Sequence, residues 1–175
     1  LRLSHPDFED LVQPLSCWKT SFTLTPRWLE QSLTVTATRT PRSMRDVPSA
    51  VSVLGEPELS QSPAVTVDDA LRQIPAFSLF RRSSSLVAHP TSQGVSLRGI
   101  GPSGVSRTLV LWDGIPLNDP FGGWVYWSQL DKTSLERVEV VPGGGSSLYG
   151  SAALGGVIQV FSKVPQPPQF ELDLR

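Results

Sequence analysis

One cysteine in 175 residues, Cys17, rules out an internal disulfide. With only His5 and His89 beside it, it also rules out a zinc site of Cys and His ligands. No apolar run approaches the roughly 18 residues of a membrane-crossing helix. Net charge is −1, from 15 basic and 16 acidic residues, so no electrostatic footprint for nucleic acid or an anionic membrane surface is present. No lysine lies between Lys132 and Lys163, so the glycine run at Gly143, Gly144 and Gly145 lacks the ending of a phosphate-binding loop. His89 precedes Pro90 with no carboxylate close in sequence. No G-x-S-x-G elbow surrounds Ser106 or Ser151. No catalytic or metal-ligating constellation remains, and the expectation is a protein that is not an enzyme and carries no cofactor.

Turn-forming residues are plentiful instead. Sixteen prolines and 14 glycines predict short elements with many reversals, in a chain long enough for one domain with its own core. Residues 1–32 scatter Trp18, Phe22, Trp28 and Leu29 among prolines and serines without a period, and are expected to be poorly structured. Leu33, Thr34, Val35, Thr36 and Ala37 open a β-prone run, and residues 39–43 read as flexible linker. Residues 33–45 therefore form an arm. A strand-forming segment on a loose linker can add to another protein's sheet edge, or be an ordinary edge strand of this domain.

The domain proper is expected over residues 46–163. Residues 50–54, AVSVL, predict a first strand. Thr66 with Asp69 resembles a capping box and predicts a helix over 66–74, with Val67, Ala70, Leu71 and Ile74 on one face and Pro75 ending it. Asp68 and Asp69 suit the positive end of that helix. Residues 77–80 and 94–98 predict short strands, joined by a polar loop over 81–93. Residues 108–112, apolar on both faces, predict a central strand, and Asp113-Gly114 a reversal. Beyond it Phe121, Trp124, Tyr126 and Trp127 fall within seven positions, either packed against a neighbouring surface or facing a ligand.

The stretch over 135–163 organises the rest: LERVEVVPGGGSSLYGSAALGGVIQVFSK. Arg137 to Val141 is a β-rich run that Pro142 stops, since proline has no N–H to donate. Three glycines allow a reversal, a short helix reaches Tyr149, and Gly155 and Gly156 lead into an apolar strand over 157–161.

RVEVV followed by the glycine run and SSLYGSAALGGVIQVFSK is similar to the end of the plug domain of TonB-dependent outer-membrane receptors. GVSLRGIGPSGVSRTLVLWDGIPLND, residues 94–119, resembles the middle of that domain. The resemblance covers roughly residues 33–163 and implies an α+β fold, a small mixed β-sheet with short helices, preceded by a flexible N-terminal arm. It implies uptake of a scarce ligand, a ferric siderophore, cobalamin or a similar metal chelate, by a receptor of the Gram-negative outer membrane. The plug would gate a barrel of about 22 strands. LTVTATR is similar to the TonB box, so Leu33, Thr34, Val35, Thr36 and Ala37 would bind TonB in the periplasm.

Arg98, in LRG, matches a position that holds the plug to acidic groups of the barrel wall. Pro142 stands where the family often has a second basic residue. Arg81, Arg82, Phe121, Trp124, Tyr126 and Trp127 are the expected ligand-facing residues, in the loops 81–93 and 116–127. A chelated anion would suit that mix of aromatic surface and positive charge. The first residue is Leu1, not Met, and the alternation over 169–175 suits the first strand of a larger sheet, so residues 164–175 are expected to lead into a barrel lying outside this chain. The alternative is a soluble periplasmic adaptor or signalling domain of the same fold.

Overall fold

The computed structural model describes residues 50–100 and 106–164 in full, together with Thr40 and the backbone of four short strands. The chain divides into two compact units, Leu1–Ser32 and Leu33–Arg175. In the first, β1 (Arg2–His5) and β2 (Phe8–Val12) pair antiparallel, from Arg2 opposite Val12 to His5 opposite Phe8. Arg2–His5 and Phe8–Val12 are thus strands within the segment 1–32, where the sequence predicts no regular element. The strands lack a clean polar-apolar alternation, which is why the hairpin escapes a reading by period.

In the second unit β3 (Leu33–Thr34) pairs antiparallel with β4 (Arg42–Ser43). The expected linker at 39–43 thus contributes a strand, and two residues of the arm pair within their own chain. Val35, Thr36 and Ala37 lie outside the described residues.

The domain is built on a five-stranded sheet. Its strands are β5 (Ser52–Gly55), β8 (Thr108–Trp112), β9 (Ile115–Pro116), β10 (Leu135–Pro142) and β11 (Gly156–Ser162), in the order β5-β10-β11-β8-β9. β8 and β11 run parallel, and the other neighbours are antiparallel. A separate antiparallel ribbon joins β6 (Phe77–Leu79) to β7 (Val95–Leu97). This mixed sheet with short helices is the expected fold.

The register puts Leu54, Val138 and Val160 in one row and Val140, Ile158 and Val110 in the next. Alternate residues of a strand share a face, so these six point the same way. They join one buried cluster with Leu59, Val67, Leu71, Phe77, Val95, Leu97, Val125 and Trp127. Each such side chain contributes about 1.5–3 kcal/mol when fully buried. The opposite face carries a smaller cluster of Leu109, Leu111, Ala153 and Val157.

The two strands of the organising stretch turn through α3 (Ser146–Tyr149), between β10 and β11. Gly156, at φ 135°, is where the turn is tightest: a Cβ there would lie 2.3 Å from the Val141 carbonyl oxygen. No other residue type fits.

Two helices cover the core. α2 (Val67–Leu71) is shorter than the expected 66–74, its last turn being replaced by turns. The capping box is also corrected: the Thr66 hydroxyl donates to Asp69 Oδ2 (3.1 Å) instead of accepting from the helix backbone. α1 (Glu56–Gln61) has Pro57 in its first turn with Glu56 and Glu58, a start signal present in the sequence. The Lys132 ammonium donates to the carbonyls of Ser62 (2.9 Å) and Ala64 (2.8 Å), fastening the α1–α2 connection to the turn before β10. Among the described residues, no helix is long and apolar enough to cross a membrane.

Candidate functional site

The loop from β6 to β7 begins with Arg81, which turns inward. Its guanidinium pairs with the Asp68 carboxylate of α2 and donates to the Ser83 carbonyl; the two side chains are 3% and 0% exposed. Ser85 Oγ donates to the other Asp68 oxygen (2.8 Å). A buried charge has to be paired and hydrogen-bonded, and Asp68 is satisfied on both oxygens. The Gln93 side-chain amide then donates to the Ser85 (3.2 Å) and Ala88 (3.0 Å) carbonyls. It brackets Leu86 and Val87 at the exposed tip. Arg82 is exposed.

The second loop starts where Asp113 (φ 47°) and Gly114 (φ 85°) make the expected reversal between β8 and β9. Two consecutive positive φ values suit a hairpin's twist. Asn118 follows and takes over part of the sheet's bonding. Its Oδ1 accepts from Val110 N–H (2.7 Å), and its Nδ2 donates to the Thr108 and Gly123 carbonyls (both 3.1 Å). Asp119 Oδ1 accepts from the N–H groups of Phe121 (2.9 Å) and Gly122 (2.8 Å). The Trp124 ring lies on Gly122 so closely that a Cβ there would meet it at 1.5 Å. Phe121 is left 97% exposed at the tip. The two loops meet at their bases, where Val125 N–H donates to the Gln93 carbonyl (3.2 Å).

Beside the Phe121 loop, a groove of about 1130 Å³ runs over the second face of the sheet, with Leu109, Leu111, Gln159, Phe161 and Tyr149 in its lining. Arg98 follows β7 at φ 55°, a conformation uncommon outside glycine, and is exposed. Its N–H donates to the Ala76 carbonyl (2.7 Å). Pro142 is buried opposite Gly156.

The TonB-dependent receptor plug domain matches residues 43–157. The chain belongs to that family. Its plug sequence is 30% identical over 131 residues to the vitamin B12 transporter BtuB of Vibrio vulnificus (strain CMCP6), covering 75% of this chain and 20% of that protein. It is 37% identical over 130 residues to a hemin receptor of Yersinia enterocolitica, covering 74% of this chain and 18% of the receptor. Among solved structures, the plug resembles the ferric yersiniabactin uptake receptor FyuA of Yersinia pestis, with a TM-score of 0.51 and 25% identity over 69% of this chain and 18% of that one. The siderophore receptor PirA of Acinetobacter baumannii gives a TM-score of 0.51 and 28% identity over 66% of this chain and 17% of that one. The plug chain thus spans about a fifth of the length of the curated relatives it matches.

Within this plug domain, the structure separates the residues expected to face a ligand. Phe121 and Arg82 are exposed, and Trp124 and Tyr126 are half-buried. Trp127 is corrected from ligand-facing to core: it is fully buried and packs edge-on against Phe77 at 6.3 Å between ring centroids. Arg81 is corrected likewise, because Asp68 holds its guanidinium inside. Asn118, Gln93 and Lys132 went unrecognised in the sequence. Each is a polar side chain bonding backbone groups of another turn, loop or strand, and only Asn118, within the plug-like motif, carried any signal.

Proposed function

We propose that this chain is the plug of a Gram-negative outer-membrane receptor that takes up a scarce ligand, such as a ferric siderophore, cobalamin or hemin. The observation that carries this reading is the plug-domain match over residues 43–157, directly behind the arm at 33–37. The rest of the receptor supplies the barrel that the plug gates, and TonB draws on the arm from the periplasm. The relatives are receptors and transporters by name, which supports a non-catalytic role and leaves the soluble-adaptor alternative without support.

Leu33, Thr34, Val35, Thr36 and Ala37 bind TonB by strand addition in this reading. Among the described residues of the arm, Leu33 and Thr34 pair with Ser43 and Arg42. A two-stranded pairing by itself is marginal in water, so it can be exchanged for a partner strand. Arg82, Phe121, Trp124 and Tyr126 face the ligand. Arg98 meets acidic groups on the barrel wall, alone where Pro142 replaces the second basic residue. Strand addition needs backbone N–H groups, and proline removes one. In the receptor carrying this plug, Val35→Pro is expected to abolish uptake of radiolabelled ligand while leaving ligand binding to whole cells intact. Undiminished uptake by that variant would contradict the proposal.

A further inference from the structure

The chain leaves the sheet at the end of β11, and that exit is fastened on both sides. The last rung between β8 and β11 pairs Trp112 with Val160. Asp113 N–H still donates to the Val160 carbonyl (2.9 Å). In a continuing parallel ladder the same residue would next receive the Ser162 N–H on its main-chain carbonyl. Here β8 has already turned away at Asp113-Gly114, and the Asp113 carboxylate receives that N–H instead, through Oδ1 (2.9 Å). Trp112 Nε1 donates to the Ser162 hydroxyl (2.7 Å). On the other side, Lys163 N–H donates to the Ser134 carbonyl (2.9 Å), and its ammonium pairs with Glu56 of α1 (2.9 Å). Val164, next in the chain, is 75% exposed.

The turn alone does not require a carboxylate. Glycine or asparagine fits a positive φ as well, and glycine would leave the Ser162 N–H without this acceptor. The ends of a folded domain fray unless they are tied down, and Ser162 and Lys163 are tied to three separate segments. The topology gives that tie a direction. β5 and β11 both run antiparallel to β10, so they run parallel to each other. The chain enters the sheet at one end of its strands and leaves it at the other. A pull on the arm, resisted beyond Val164, therefore acts along the strands and arrives at this exit.

Resting on the receptor reading above, we propose that Asp113 is a positioning residue that locks the exit of the plug. A load drawn through the arm then passes into the following segment through a fixed joint. The Asp113 carboxylate does this by extending the β8–β11 pairing one step beyond the hairpin turn.

The test uses the 175-residue chain with its Asp113→Gly and Asp113→Asn variants. Glycine keeps the turn and removes the acceptor, whereas asparagine keeps both. Amide hydrogen exchange is followed by NMR in the parent. Ser162 and Lys163 are expected to be protected to within about tenfold of Ile158, so that the exit opens only with the sheet. Unprotected Ser162 and Lys163 amides would overturn the proposal whatever the variants do. Each chain is then unfolded under a constant pull between tethers at Ala37 and Arg175, and separately in urea. Under the pull, Asp113→Gly is expected to unfold at least about tenfold faster than the parent, the worth of one hydrogen bond to a charged group. Asp113→Asn should stay within about threefold of the parent, and in urea all three rates should agree within about threefold. An unaccelerated Asp113→Gly chain, or an equally accelerated Asp113→Asn chain, would overturn the proposal. Equal acceleration of Asp113→Gly in urea, or its failure to fold, would make the bond an ordinary contributor to stability and overturn it likewise. None of these outcomes touches the receptor reading, which the uptake of Val35→Pro tests separately.

Discussion

Asp68 and Arg81 are 13 residues apart, and neither has a role until the fold brings them together. Removing one partner of a buried pair strands the other charge, at a cost of about 3–5 kcal/mol. Asp68→Asn and Arg81→Met should each lose about that much in urea denaturation, and the double variant should lose less than their sum. Additive losses would mean the pair is not coupled. In sequence, Asp68 read as a charge suited to a helix start and Arg81 as a ligand contact, because local spacing does not reveal a partner across a loop. Trp127 teaches the same about aromatics. Four aromatics crowd the 121–127 stretch, yet the backbone sends them to different depths. The Trp127 indole N–H has no hydrogen-bond partner among the described residues. Trp127→Phe should therefore cost less than about 1.5 kcal/mol, against about 3–5 kcal/mol for Trp127→Ala, measured by the same unfolding experiment.

At the scale of elements, the β10–α3–β11 unit depends on Gly156. Gly156→Ala drives a Cβ into the Val141 backbone at a positive φ, and should destabilise the chain by at least about 3 kcal/mol or prevent its accumulation. A melting temperature within a few degrees of the parent would show that the turn relaxes at about 1 kcal/mol or less. The second loop makes a subtler prediction. Gly122→Ala should expel the Trp124 ring from its seat and shift tryptophan emission to longer wavelength, with the core intact.

β10 and β11 were legible in the sequence because their apolar residues are mostly β-branched and bounded by glycine and proline, and β8 because it is apolar on both faces. The hairpin reversal at Asp113-Gly114 was legible for its residue types. The pairing of β3 with β4 was not, since two-residue strands carry no period. α1 was missed although Pro57 and two glutamates mark its start, because six residues show too little of a helical period.

For the whole molecule, family and fold were legible through long, ordered motifs, and the match over residues 43–157 bears them out. The loops' chemistry was not, because it depends on which side chains turn inward. The mixed sheet buries one face under α1, α2 and the β6–β7 ribbon and carries the groove on the other. In the proposed reading, a partner engages residues 33–37, ahead of the edge strand β5 in sequence, and leaves the β10–β11 pairing at the sheet's centre intact. Titrating the isotopically labelled 175-residue chain with TonB, and following every backbone amide by NMR, tests that arrangement most directly. The account predicts that amides of residues 33–37 shift and become protected from exchange, Arg42 and Ser43 are released, and amides of β10 and β11 stay in place. Saturating TonB that leaves the amides of residues 33–37 unmoved would contradict it.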